Sequence, residues 1–154
     1  MKKLEFTKMH GCGNDYIYID CFRQTVNDPA ALARRLSDRH KGVGGDGVIL
    51  ICPSDAADAK MRMFNADGSE GKMCGNGVRC VAEYLFRHGY ARGGAADVET
   101  LAGTKRIVRK SPGLLTVDMG APVFEPEKIP LKGFDAPAID APVTADGEML
   151  RMTC

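Results

Sequence analysis

The sequence predicts an α/β (α+β) domain in which one amphipathic helix is buried in a mixed β-sheet, and three observations carry that expectation. Val78, Val81, Ala82 and Leu85 recur at i, i+3, i+4 and i+7, which is a single helix face. Segments with strand character lie on both sides of this helix along the chain. An apolar fraction of 44% and a charged fraction of 27% over 154 residues are those of one globular domain with a real core.

The elements follow in order. "LEFTKMH" (4–10) and "DYIYIDCF" (15–22) read as strands, the second alternating around Tyr16, Tyr18 and Asp20, with "GCGND" (11–15) as a glycine-rich connection. A first helix opens at Asp28 as N-cap with Pro29 in its first position; Leu32, Ala33 and Leu36 form its stripe, and Gly42 is expected to end it. "GVILIC" (47–52) is a near-continuous apolar run, expected as a buried strand, and "AKMRMFN" (59–65) alternates again. The central helix is expected over 76–88, with Arg87 and His88 in its last turn and Gly89 as its cap. Strands over 97–111 and 114–120 complete the domain, joined by a turn at Pro112-Gly113.

Composition changes after Gly120. Prolines at 122, 126, 130, 137 and 142 are five of the eight in the chain. Residues 1–120 carry 18 basic and 14 acidic side chains, whereas 121–154 carry 3 and 6. The expected organisation is a domain over 1–120, then a proline-rich extended connector over 121–154 leading into the start of a second domain. The chain reads as an interrupted protein.

Several function classes are disfavoured. A net charge of +1 suggests neither a nucleic-acid partner nor an acidic membrane surface. No run approaches the ~20 apolar residues of a membrane span, and "MKKLEFTKMH" lacks the apolar stretch of a signal peptide, so a cytoplasmic protein is expected. Cysteines at 12, 21, 52, 74, 80 and 154 never show C-x-x-C spacing, and His10, His40 and His88 are scattered, so no metal is expected. Cys21, Cys52 and Cys80 read as small buried hydrophobes. "GVGGDG" (42–47) fits G-x-G-x-x-G, but a helix precedes it and a strand follows, the reverse of a dinucleotide site. Asp46 within it is expected to orient a neighbouring loop.

The chemistry concentrates in "FNADGSEGKMCGNGVRC" (64–80). Cys74 directly precedes Gly75-Asn76-Gly77 at the start of the central helix, where backbone N–H groups and the helix dipole favour a carboxylate. The two glycines admit close approach, and Asn76 adds a side-chain donor and acceptor. The same field stabilises a thiolate, so Cys74 is expected to have a lowered pKa and to be the reactive cysteine. A thiol beside a carboxylate cradle suits proton transfer at the adjacent carbon. Asn65, Asp67, Ser69 and Glu70 make the surroundings unusually polar.

These residues, with "HGCGNDY" (10–16) and "GVGGDG" in the same order, resemble the diaminopimelate epimerase family over at least residues 4–120. The resemblance implies two pseudo-symmetric halves, each a curved sheet wrapped around a central helix, with the substrate between them. It implies cofactor-independent conversion of LL- to meso-diaminopimelate in lysine and peptidoglycan biosynthesis, by two cysteines acting on opposite faces of the α-carbon. Carried over, Cys74 is the catalytic cysteine of this half; Gly75, Asn76 and Gly77 bind the α-carboxylate, and Asn14 and Asn65 contact the substrate. The chain departs from the family at Gly47, where glutamine is common. It also lacks a second cysteine motif, which Cys154 does not match. The implied partner is the small molecule alone, with a homodimer through two opposed Cys74 thiols as one arrangement. Rival readings are a non-catalytic carboxylate- or amino-acid-binding module of the same fold, and a thiol-redox protein, for which no resolving cysteine stands at short spacing. Related proline racemases and phenazine-biosynthesis isomerase-like proteins differ at the Asn76 position. A pyridoxal-phosphate racemase would need a Schiff-base lysine in a phosphate-site context, which the sequence lacks.

Overall fold

Alternating and β-branched segments pair here into one mixed sheet, because each has an apolar face that only a neighbouring layer can cover. The structure, a computed structural model, describes residues 3–111 and 113–154. It divides into two units, Met1–Met119 and Gly120–Cys154. In the first unit the strands are β1 (Thr7–Gly11), β2 (Asn14–Asp20), β3 (Gly47–Cys52), β4 (Ala59–Asn65), β5 (Glu70–Gly71), β6 (Ala95–Glu99), β7 (Lys105–Ser111) and β8 (Leu114–Val117). Two helices accompany them, α1 (Pro29–Ser37) and α2 (Gly75–His88).

The sheet order is β1-β2-β3-β4-β6-β7-β8, with β5 paired to β4. The β2/β3 and β4/β6 pairs are parallel and the other pairs antiparallel. Helix α2 touches β1, β2, β4, β6 and β8, both edges of the main run included. Seven strands spaced about 4.8 Å apart span nearly three helix diameters if flat, so both edges reach one helix only if the sheet curls around it. Val78, Val81, Ala82 and Leu85 are fully buried inside this curl, against Tyr18, Ile49, Ile51, Val98 and Ile107. The outer face of β2, β3 and β4 carries Ile17, Ile19, Val48, Leu50 and Phe64 under α1. The predicted fold class is the observed one.

Two elements differ from expectation. Helix α1 opens as expected, with the Asp28 carboxylate accepting from the Ala31 amide at 2.9 Å. It stops at Ser37, not Gly42, because Asp38 turns its carboxylate onto the amides of His40 and Lys41 at 2.8 and 2.9 Å. That local bond competes with further helix. The expected strand over 97–111 is broken into β6 and β7 by a turn in which Thr100 Oγ1 donates to the Gly103 carbonyl at 2.7 Å. Gly103 has φ +87° there. The turn expected after β7 falls partly on Pro112, outside the described residues.

The second unit contains a 3-10 turn, Pro126–Lys128, and a hairpin of β9 (Ala141–Ala145) and β10 (Glu148–Met152). Among the described residues no helix is long and apolar enough to cross a membrane.

Candidate active site

The site is assembled where the β1–β2 hairpin meets the first turn of α2. A two-residue loop joins β1 to β2, and Cys12 and Gly13 both adopt left-handed backbone, φ 55° and 85°. That is the geometry whose twist suits a tight hairpin. Gly11 lies against α2: a Cβ there would stand 3.1 Å from the Asn76 carbonyl oxygen. The close approach brings Asn14, first residue of β2, beside the helix start.

Cys74 is the N-cap of α2, in extended backbone with φ −133° and ψ 117°. Its Sγ accepts from the Gly77 amide at 3.3 Å and donates to Asn14 Oδ1 at 3.2 Å. The first backbone bond of the helix runs from the Val78 amide to the Cys74 carbonyl, 2.8 Å. The amides of Gly75 and Asn76 are thus donors that a helix start leaves without intrahelical partners. A Cβ on Gly75 would meet only the end of Met119, at 3.8 Å, whereas one on Gly77 would press on Ile49 Cδ1 at 2.6 Å. Gly75 therefore gives access to the helix end, and Gly77 lets the turn sit down on β3.

Each amide around the thiol is oriented by a charged neighbour. Asp46 Oδ2 accepts from Asn14 Nδ2 at 2.6 Å and from the Asp15 amide at 3.0 Å, which turns Asn14 Oδ1 towards Cys74 and Asn76. Arg79 donates to Asn76 Oδ1 at 2.6 Å, with the Cys12 sulfur 3.6 Å from the same nitrogen. Arg39 spans Asp15 and Asp46 at 2.6 and 3.0 Å, and Lys8 reaches Asp15 at 2.7 Å. The Arg39 guanidinium, with Lys8, holds the Asp15 carboxyl well below the usual carboxylate range. Asp46 also ties the site to the end of β4, since the Ala66 amide donates to its carbonyl at 3.1 Å. The loop-orienting role expected of Asp46 is met by these bonds.

Asn65 stands in the same row across the sheet as Tyr16 and Gly47. Its amide nitrogen donates to Ser69 Oγ at 2.9 Å, closing the turn before β5. Asp67 holds that turn too, accepting from the Ser69 amide and hydroxyl at 2.8 and 2.6 Å, while Glu70 pairs with Arg62 at 2.8 Å. Much of the polar density read around Cys74 is therefore spent on a turn. A Cβ at Gly47 would collide with the Phe64 carbonyl oxygen, so β3 and β4 in their present positions admit no side chain there.

Sequence reasoning missed Tyr16. It is 5% exposed and interacts with both Asn14 and Cys74. Burial pushes its phenol up, and the charge Cys74 carries as thiolate pushes it further. Its place directly after "GND" was the available signal. Arg39 and Arg79 were missed as well, since nothing local distinguishes them from surface arginines. Among the described residues no group of three or more His, Cys, Asp or Glu side chains is arranged to hold a metal ion.

The sequence pattern of the family described as "Diaminopimelate epimerase" matches residues 6–125. A diaminopimelate epimerase of Acetivibrio thermocellus is 48% identical over 155 residues, covering 98% of this chain and 55% of that protein. One from Methanococcus maripaludis is 46% identical, covering 98% and 56%. The chain thus spans about half the length of the curated relatives it matches. Among solved structures, a Bacillus anthracis phenazine biosynthesis protein of the PhzF family superposes with TM-score 0.58 at 22% identity, over 76% of this chain and 40% of that one. A hydroxyproline epimerase from Agrobacterium vitis superposes with TM-score 0.54 at 18% identity, over 95% and 46%. These two likenesses show the fold.

Proposed function

Because the chain belongs to the diaminopimelate epimerase family, we propose that it supplies one half of a cofactor-independent amino-acid epimerase that interconverts LL- and meso-diaminopimelate. The observation that carries this reading is Cys74 at the N-cap of α2, with Sγ between the Gly77 amide and Asn14 Oδ1.

The substrate α-carboxylate is bound by the backbone amides of Gly75 and Asn76, by the Asn76 side-chain Nδ2 and by the positive end of the α2 dipole. The α-carbon then lies next to Cys74 Sγ. As thiolate, Cys74 is stabilised by the Gly77 amide and removes the α-proton. As thiol, it returns its hydrogen bond to Asn14 Oδ1, an acceptor that Asp46 keeps pointed at it. Charge developing on the carboxylate during proton removal is met by donors that are already oriented, so little reorganisation is needed. Asn65 is assigned to the distal part of the substrate, which requires it to exchange its bond to Ser69 for one to the ligand. Inversion needs an acid on the opposite face of the α-carbon. We assign that acid to the second half that the longer relatives carry, and the working compartment to the cytoplasm.

The test is α-proton exchange in D2O, followed by NMR, with LL-diaminopimelate and the chain joined to such a second half. Cys74→Ala is expected to lower exchange by roughly 10²–10⁴-fold, the span of general acid–base contributions. Unchanged exchange would remove Cys74 from the chemistry. Residues 1–154 alone present one face and are expected not to invert the centre. Efficient exchange independent of protein concentration would overturn the half-site reading. Exchange rising with concentration would instead point to two copies opposing their Cys74 thiols.

A further inference from the structure

The outer face of the sheet holds a second pair of thiols that the proposed epimerisation does not use. Strands β2 and β3 run parallel with Asp20 opposite Ile51, and the next step of the register sets Cys21 beside Cys52. The Cys21 amide donates to the Ile51 carbonyl at 2.8 Å, so the pairing persists through this step. Both side chains fall on the α1 face, at the edge of the cluster formed by Ile19, Leu50 and Phe64. Both cysteines are free and half-exposed, unlike Cys80, which is buried as expected.

We propose that Cys21 and Cys52 form a redox-active dithiol that a hydroperoxide oxidises to a reversible disulfide. Neighbouring strands lie about 4.8 Å apart, inside the roughly 4.4–6.8 Å of Cα separation that disulfides take. Each cysteine stands at the end of its strand, Cys52 last in β3 and Cys21 just beyond β2, where the backbone is freest to adjust. The two thiols also divide the chemistry between them. Lys60 stands directly opposite Cys52 on β4, and Arg62 two residues along that strand points to the same face. The hydrogen bond from Cys21, together with Arg62 and Lys60, holds the Cys52 thiol below its ordinary value. The same bond, with burial, pushes Cys21 up. With Lys60 opposite it and Arg62 on the same face, Cys52 is therefore the attacking thiolate and Cys21 the resolving thiol.

The steps balance. Cys52 thiolate attacks the terminal oxygen of the hydroperoxide and the O–O bond breaks. Sulfur becomes a sulfenic acid, and the departing alkoxide takes a proton to leave as an alcohol. Cys21 sulfur then attacks the sulfenic sulfur, the S–S bond forms, and hydroxide leaves with the Cys21 proton as water. Two thiols lose two electrons and two protons, and one hydroperoxide becomes an alcohol and water. Cys21 lies seven residues beyond Asn14 along β2, about 23 Å from the Cys74 cradle at the rise of a strand. The pair is thus a separate site.

Peroxide titration of the reduced full chain tests the assignment, with iodoacetamide quenching, intact mass and peptide mapping. Before alkylation, stoichiometric hydrogen peroxide is expected to lower the monomer mass by about 2 Da, the two hydrogens lost. The map should show a Cys21–Cys52 linked peptide that dithiothreitol removes. In Cys21→Ser, Cys52 should be trapped by dimedone as sulfenic acid; in Cys52→Ser, Cys21 should remain open to alkylation. The wild-type map is decisive even if a variant folds poorly. Cross-links among other cysteines with Cys21 and Cys52 still free would overturn the proposal. So would Cys52 passing to sulfinic acid without bonding to Cys21.

Discussion

The two ends of α2 are built from the same helix and finished in opposite ways. At the C-terminal end the chain closes on its own last turn. Gly89 takes the left-handed conformation, φ 74°, and the amides of Gly89, Tyr90 and Ala91 all return to the Leu85 carbonyl. Tyr84 stacks on His88 at 3.8 Å, Phe22 stacks on Tyr90 at 4.3 Å, and the two tyrosine hydroxyls share Asp20 Oδ2 at 3.2 and 2.9 Å. At the N-terminal end the cap is a thiol, the first turn holds two glycines, and the donors point outward. A helix end closed by its own side chains serves stability. One that keeps its dipole and amides for something absent from the chain has the form of a binding site.

The largest stability effect should come from the middle, where the two ends share a foundation. Leu85→Ala removes a fully buried side chain and is expected to cost about 2–5 kcal/mol in denaturant unfolding. A loss below 1 kcal/mol would show that α2 is not central. Substitutions at the two ends should then separate affinity from stability. Asn76→Ala is expected to weaken diaminopimelate binding by about 1.5–3 kcal/mol, the range for a hydrogen bond to a charged group, with a smaller change in unfolding. Gly89→Ala forces a Cβ into left-handed backbone and should cost about 1–2 kcal/mol of stability while affinity stays put. Equal affinity in Asn76→Ala and wild type, by calorimetry, would move the carboxylate cradle elsewhere.

What the sequence made legible depended on how locally each feature is encoded. Strands β3 and β4 begin and end where the apolar run and the alternation do, and α2 starts one residue earlier than its stripe suggests. The stop of α1 was hidden because Asp38 competes for amides that helical periodicity assigns to the helix. The turn at 100–104 was hidden because threonine is a good strand residue until its hydroxyl finds the Gly103 carbonyl. Hairpin β9/β10 carries its turn signal in "ADG" (145–147), which the surrounding prolines masked. In the site, Cys74 and its glycines could be read because they adjoin one another in sequence. Asn14 bonds Cys74 across 60 positions, and Arg39 reaches Asp15 across 24, so their roles appear only once the chain is folded. The Cys21–Cys52 neighbourhood is non-local for the same reason, and both cysteines pack against the α1-side cluster, half-buried where the sequence reading expected them buried.

The two ends should also part company in pH, through groups that titrate at opposite extremes. Near the N-terminal end, Asp15 is held below the usual carboxylate range by Arg39 and Lys8. Its folded-state pKa lies below the unfolded value near 3.9, so its contribution is complete above about pH 4 and fades as pH falls further. Near the C-terminal end, burial and the Asp20 carboxylate push the Tyr84 phenol up to about 12. The folded value there exceeds the unfolded one near 10, so the contribution is complete below about pH 10 and is lost as pH rises towards 12. Asp15→Asn should therefore flatten the acid limb of a stability–pH profile and leave the alkaline limb as it was. Tyr84→Phe should flatten the alkaline limb alone, at a cost near neutrality of about 0.5–1.5 kcal/mol for the lost hydrogen bond. Because the active-site loop hangs on the Asp15–Arg39–Asp46 cluster, Asp15→Asn should also loosen Asn14 and lower affinity for the substrate carboxylate, whereas Tyr84→Phe should not. If both variants bend the same limb, or if Tyr84→Phe is the one that loses affinity, the division between a structural end and a binding end is wrong.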